Sequence, residues 1–288
     1  MKCLVTGGLG FVGSNLVDFL VNEHKCDVTV IDNLASDSSS RSYMREDVRY
    51  WIDDIRNLNV FKYSHEKFDV IFHLAALARI QPSFKDPLTY LSVDSFGTAA
   101  VCEFARNCDA KIVYAGSSSA YAGHMLNPYA FAKYTGEQIC QLYSEVYGVS
   151  TVTARFFNVY GNRQPLVGAY ATVVGIFENQ TKKGIPLTVT GDGTQRRDFT
   201  HVSDIIAGLF SLSQGNHKGE VYNLGRGKNI SIFDLAKLFS DNVIFIPPRP
   251  GEAKTTLADY SKTTEICGWI PQKDIEDYVS SWKKDNLL

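Results

Sequence analysis

Cysteine pairs, metal-ligand spacings, long apolar runs and an excess of one charge are all missing from this 288-residue chain. The six cysteines (Cys3, Cys26, Cys102, Cys108, Cys140, Cys267) include no C-x-x-C pair, and several sit in apolar runs that read as core. Reduced thiols in the cytoplasm are the expectation. The six histidines show neither H-x-H nor H-x-x-x-H spacing, so no metal site is expected. Nothing approaches the ~20 apolar residues of a membrane span. After Met1-Lys2 the apolar stretch 3–6 gives way at once to glycines, too short for a signal-peptide core. Lys and Arg total 29 against 31 Asp and Glu, a net charge of −2, so no global field favours nucleic acid or a membrane surface. An anionic ligand must therefore be held by local groups. What is present suits a folded chain: 44% hydrophobic and 21% charged residues exclude disorder and supply a sizeable core.

Apolar, β-branched runs at 2–6, 27–32, 48–53, 69–74, 111–115 and 150–156 read as strands. Runs this continuous suit a parallel sheet buried on both faces. Segments 10–22, 87–107 and 129–147 read as helices between them, giving the β-α-β alternation of an α/β, Rossmann-type doubly wound sheet. Ligands of such sheets lie at the carboxyl ends of the strands. After Gly161 the pattern loosens into Pro- and Gly-containing connections with helices at 169–183, 203–213 and 231–239, read as a smaller C-terminal α/β lobe. The expected division is a dinucleotide-binding domain over 1–160 and a substrate lobe over 161–288, with a segment near 195–225 free to pack back onto the first. No repeat appears, and the only biased tract is the Ser-rich stretch 36–42.

The first strand runs into Thr6-Gly7-Gly8-Leu9-Gly10-Phe11-Val12-Gly13 and then directly into a helix. Gly7 and Gly10 permit a tight turn close to a pyrophosphate, Gly13 permits close helix–strand packing, and the helix N-terminus supplies N–H donors. About twenty residues on, the second strand ends in Asp32, where a carboxylate can accept from both hydroxyls of an adenosine ribose. That carboxylate repels a 2′-phosphate and favours NAD over NADP, a preference that a nearby arginine, Arg41 or Arg45, could reverse. Asp54-Ile55 after the third strand is placed to meet the adenine. Leu74-Ala75-Ala76 after the fourth offers small residues where a cofactor approaches.

Tyr129 and Lys133 stand at i and i+4, on one helix face. A free tyrosine, with a pKa of ~10, is a poor base, and a neighbouring cation favours its phenolate. Their helix follows a fifth strand that ends in Gly116-Ser117-Ser118-Ser119, at the sheet end where the cofactor belongs. A hydroxyl there can bond a substrate oxygen as it loses and regains a proton.

With these residues assembled, the sequence resembles the extended short-chain dehydrogenase/reductase family of nucleotide-sugar enzymes, and within it the UDP-hexose 4-epimerases. The resemblance covers nearly the whole chain through TGGLGFVG from Thr6, DN at Asp32-Asn33, DDIRN from Asp53, HLAA from His73, SSSAY from Ser117, YAFAK from Tyr129, RFFNVYG from Arg155, GDGTQRRDFTHVSD from Gly191 and RPGE from Arg249. It implies a retained NAD bound at Gly7, Gly10, Phe11, Val12, Gly13, Asp32, Asn33, Asp54, Ile55, Leu74, Ala75, Ala76 and Lys133. Tyr129 would be the acid/base, and Lys133 would lower its pKa and bind the nicotinamide ribose. Ser117 would hold the sugar O4, with Ser118 or Ser119 as the alternative hydroxyl. Asn158, Arg197 and Arg249 match residues that contact the substrate diphosphate, whereas Arg196 reads as an exposed cation. Thr256, seven residues after Arg249, matches a gate that admits 2-acetamido sugars when small.

The implied reaction inverts C4 of a UDP-hexose, UDP-Glc/UDP-Gal or UDP-GlcNAc/UDP-GalNAc, through a 4-keto sugar. Related dehydratases and decarboxylases carry carboxylates after the active hydroxyl, and Ser118-Ser119-Ala120-Tyr121 supplies none. Keto-sugar 3,5-epimerase/reductases need a second proton donor or acceptor, for which His124 could be offered, without an identified partner. A homodimer through helices 87–107 and 129–147 is also implied. Three departures stand out: a short connection at 122–128, Asp94 in place of Asn, and Phe156 in place of Tyr. Two readings stay open beside the epimerase: another NAD-dependent enzyme acting on a UDP-glucuronate or GDP-sugar, and a catalytically silent NAD-binding sensor.

Overall fold

The computed structural model describes residues 1–35, 38–58, 63 and 65–287, so part of the Ser-rich stretch lies outside the described residues. The chain runs β1 (Lys2–Thr6), α1 (Phe11–Asn22), β2 (Asp27–Asp32), β3 (Arg49–Ile52), β4 (Val70–His73), α2 (Ile80–Lys85), α3 (Pro87–Tyr90), α4 (Gly97–Cys108), β5 (Lys111–Ser117), α5 (Ser119–Gly123), α6 (Pro128–Tyr147) and β6 (Thr151–Phe156). It continues through β7 (Asn158–Tyr160), α7 (Val173–Lys182), β8 (Leu187–Thr190), β9 (Arg196–His201), α8 (Val202–Ser213), β10 (Lys218–Leu224), β11 (Asn229–Ser231), α9 (Ile232–Phe239), β12 (Val243–Ile246), α10 (Ser261–Cys267) and α11 (Ile275–Asp285).

Seven parallel strands form the main sheet in the order β10-β6-β5-β4-β1-β2-β3. Their continuous apolar runs are buried on both faces, as the uninterrupted patterning predicts: Cys3, Val5, Val30 and Phe72 pack under α1 and α8, while Leu4, Ile31, Ile71 and Ile112 pack under α4 and α6. The seventh strand, β10, comes from residues beyond Gly161 and pairs with β6. The smaller lobe has its own core around Tyr160, Phe177, Leu187, Val189, Leu235 and Phe239. No helix among the described residues is long and apolar enough to cross a membrane.

The helix expected over 87–107 is present and helical throughout, with a turn of π-helix at Leu91–Phe96 between α3, which ends at Tyr90, and α4, which begins at Gly97. The wider turn sets the Asp94 side chain inward, where its Oδ1 accepts the Leu77 N–H at 2.8 Å. Such bulges recur where a helix must place one residue. Asn127 caps α6 by accepting the Ala130 N–H at 2.8 Å, and Pro128 occupies the first turn, which fixes where the helix bearing Tyr129 starts.

Candidate active site

A continuous cleft of about 1650 Å³ lies across the carboxyl ends of the strands. Ligand pockets usually hold ~300–1,000 Å³, so this space fits two ligands side by side rather than one. Gly7 has φ +69°, and a Cβ there would come within 2.8 Å of the Ala75 backbone, so the first turn and the end of β4 touch only because the side chain is absent. At Gly13 a Cβ would lie 2.1 Å from the Gly7 oxygen, which is how α1 seats against the turn. Its N-terminus carries no acidic residue and no side-chain cap, leaving its N–H donors for an anion.

Asp32 is buried, its Oδ2 accepting the Leu9 N–H at 2.9 Å and its Oδ1 the Leu34 N–H at 2.8 Å. A carboxylate has lone pairs to spare beyond these two, and backbone donors on both oxygens hold it where ribose hydroxyls can reach it. Arg45, one of the two arginines able to favour a 2′-phosphate, is committed to Asp18 at 2.9 Å and Asp47 at 2.8 Å. Asn33 donates to Asp54 at 3.0 Å, and Arg56 pairs with Asp54 at 2.8 Å, holding that carboxyl below the usual range. Phe11, Val12, Ile55, Leu74, Ala75 and Ala76 line the same stretch of cleft. The cradle thus fits a dinucleotide with a free 2′-hydroxyl.

Ser117 is the last residue of β5, two residues beyond the expected strand end, and its Oγ accepts from Tyr129 OH at 3.3 Å and from Ser119 Oγ at 2.9 Å. Ser118 also lines the cleft, and its N–H donates to the Phe156 carbonyl at 2.9 Å. Burial pushes the Tyr129 phenol above its ordinary value, Ser117 draws it back, Asp94 raises it further and Arg79 lowers it. Arg79 is thus a second cation beside the Lys133 expected to favour the phenolate, and all three residues line the cleft. Lys133 is buried with its Nζ 4.6 Å from the Tyr114 ring centre, and burial lowers its own pKa against the pull of Asp94 and Glu137. Asp94 Oδ2 makes no hydrogen bond, and burial pushes this carboxyl up to about 6. His73 bonds Thr6 at 2.8 Å and Thr98 at 3.0 Å, and burial takes it down to about 3, so the histidine of HLAA is a neutral tie between β1, β4 and α4.

The far wall comes from β7 and the lobe that follows it. Asn158 on β7, Arg197 on β9, Arg249 and Thr256 all line the cleft. Arg197 is buried and 3.7 Å from Glu252, while Arg249 is exposed at the rim. Thr256 Oγ1 accepts the Asp198 N–H at 3.3 Å, fixing its side chain. Arg196 points away and bonds Asn229 at 2.7 Å. The short connection brings Asn127 directly onto this wall, where its Nδ2 donates to the Gly251 carbonyl at 3.0 Å, and Gln81 donates to Pro250 at 2.9 Å. His124 stacks on Tyr134 with ring centres 4.3 Å apart, which explains its place as packing. Sequence reasoning missed Arg79, Tyr170 and the Asn127 stitch. Their contacts join segments far apart in sequence, and the one available signal was an arginine within the otherwise small-residue run after HLAA.

A dinucleotide cradle at a Rossmann switch point, closed by a hydroxyl pair beside a buried lysine, defines a nicotinamide-dependent enzyme. Residues 3–225 match the NAD dependent epimerase/dehydratase family, and the chain belongs to it. It is 33% identical to a putative UDP-glucose 4-epimerase of Methanocaldococcus jannaschii, over 98% of each chain. Among solved structures, it is similar to the UDP-glucose 4-epimerase of Thermotoga maritima with UDP-glucose (TM-score 0.92, 27% identity, 100% of each chain). It is likewise similar to the UDP-glucuronic acid 4-epimerase of Bacillus cereus in complex with UDP-glucuronic acid and NAD (TM-score 0.90, 28% identity, 100% of this chain and 99% of that one).

Proposed function

We propose that this chain inverts C4 of a UDP-hexose through a transient 4-keto sugar. The observation that carries the reading is the Tyr129 hydroxyl 3.3 Å from Ser117 Oγ at the cleft wall, with no carboxylate in the segment that follows Ser117. Ser117 holds the sugar O4, and Tyr129 removes the proton from the 4-hydroxyl. NAD, when bound, supplies the hydride acceptor and donor for C4 and is neither consumed nor released. Lys133 holds the nicotinamide ribose and keeps a positive charge beneath the reacting centre. Asn158, Arg197 and Arg249 anchor the diphosphate while the keto sugar turns over, and Tyr129 returns the proton once hydride reaches the opposite face. Thr256 leaves space for a 2-acetamido group, so both plain and N-acetylated hexoses enter this reading. An acidic hexose is a second reading, favoured by Arg79, which lines the cleft with its buried Nε lacking an acceptor. The free thiols of all six cysteines support a cytoplasmic setting.

The test is to incubate the protein with UDP-Glc, UDP-GlcNAc and UDP-GlcA separately and follow C4 by proton NMR. Inversion of at least one sugar is expected, with Tyr129→Phe lowering the rate by roughly 10²–10⁴-fold while NAD stays bound. Unchanged conversion by Tyr129→Phe would remove the acid/base assignment, and no conversion of any nucleotide sugar would favour a silent NAD-binding protein.

A further inference from the structure

Arg79 stands just before α2 and lines the cleft together with Tyr129 and Tyr170. A guanidinium has five N–H donors. Here Nη1 donates to the Ala78 carbonyl at 2.8 Å and Nη2 to the Tyr170 carbonyl, and the buried Nε donates to nothing. Among the described residues no carboxylate pairs with it. Of the other arginines lining the cleft, Arg163 pairs with Asp18 at 2.5 Å and Arg197 faces Glu252 at 3.7 Å, while Arg249 lies exposed at the rim. Behind Arg79, the buried Tyr90 hydroxyl also makes no hydrogen bond of good geometry, and the Tyr90 and Tyr129 rings meet edge to face at 6.5 Å.

A partly buried guanidinium whose inner Nε has no acceptor is completed by an anion that enters the cleft. Three anionic groups could reach the cleft: the cofactor pyrophosphate, which the α1 N-terminus receives, the substrate diphosphate, and an acid on the sugar. The diphosphate has its donors on the opposite wall, at Arg197 and Arg249. A group beside Tyr129 meets the hexose itself, next to the carbon that Tyr129 serves. We propose that Arg79 receives a carboxylate carried by the hexose, which makes an acidic UDP-sugar the preferred substrate class. This rests on the C4-epimerase reading for the placement of the sugar at Tyr129. The carboxylate can be C6 of a hexuronate or an O-lactyl group on C3, since both neighbour the reacting carbon.

Isothermal titration of the NAD-loaded protein separates the possibilities, with UDP-GlcA compared against UDP-Glc and UDP-MurNAc against UDP-GlcNAc. One acidic sugar is expected to bind at least about 30-fold more tightly than its neutral counterpart, the scale of a desolvated charge pair, and the pair that shows it names the carboxylate. Arg79→Met should bring that ratio close to one, and Arg79→Lys should recover part of it. NAD content and thermal midpoint report whether each variant is folded. Neutral sugars binding as tightly as both acidic ones in the unaltered protein would overturn the proposal, as would a preference that survives Arg79→Met. These ratios read Arg79 whether or not C4 inverts, whereas absence of inversion in every arm counts against the epimerase reading alone.

Discussion

Asp94 carries a full buried charge or none, and which of the two holds depends on pH. It is 1% exposed, one oxygen has no partner, and its carboxyl sits at about 6 rather than the usual ~3.9. A folded pKa above the unfolded value means the native state binds the extra proton, so the stability this group contributes is complete below pH ~4 and is lost as pH rises through about 6. Asp94→Asn cannot ionise. Compared with the unaltered protein it should gain about 3 kcal/mol in relative stability between pH 4 and pH 8, read from denaturant unfolding at each pH. An identical pH dependence in the two proteins would contradict this account. At this scale much of the site was legible. Gly7, Gly13, Asp32, Tyr129 and Lys133 declare themselves through spacing along one turn or one helix face. Arg79 did not, because its neighbours Tyr90, Tyr129 and Tyr170 are brought together only by the fold.

Helix α6 links chemistry to packing. One face carries Tyr129 and Lys133, and the same face continues to Glu137, which is 2% exposed and bonds Arg155 of β6 at 2.6 Å. Arg155 in turn lies 4.7 Å from the Tyr121 ring, and Tyr121 OH donates to Asn223 of β10 at 2.9 Å, so the pair fastens α6, β6 and β10 together. Glu137→Ala leaves a guanidinium without its counter-ion. We expect it to lower the unfolding free energy by roughly 3–5 kcal/mol, measured by denaturant melts, with a loss under 1 kcal/mol contradicting the argument. Element existence followed from periodicity for β1 to β6 and for α1, α6, α7, α8 and α9, whereas β7 to β12 and α11 were not read from the sequence. The short α2, α5 and α10 did not announce themselves, since one or two turns display too little of a 3.6-residue repeat. The π turn at Leu91–Phe96 was hidden for a different reason: it goes with the inward Asp94, a tertiary bond to Leu77.

Across the whole molecule, the seven-stranded sheet puts its carboxyl edge beneath the cleft while residues from beyond Gly161 supply both β10 and the far wall. The alternation of strands and helices was enough to place that edge, but not to show Asn127 meeting Gly251 across it. On the outside, Leu88, Phe96, Phe131, Leu142 and Val146 leave apolar side chains exposed along α3, the π turn and α6. This supports the homodimer that the resemblance implies, with the helices pairing against a second copy. Sedimentation equilibrium should give twice the chain mass, and Phe131→Glu with Leu142→Glu should shift it to one. A single-chain mass for the unaltered protein would contradict the assignment.

The central claim, that C4 is oxidised and re-reduced within one cleft, is tested most directly with a UDP-sugar deuterated at C4. The account predicts that the epimerised product keeps its deuterium at C4 in ordinary water, with no net NADH. Product in which solvent hydrogen has replaced the label would show that C4 inverts by another route, and the roles given to Tyr129 and NAD would fall with it.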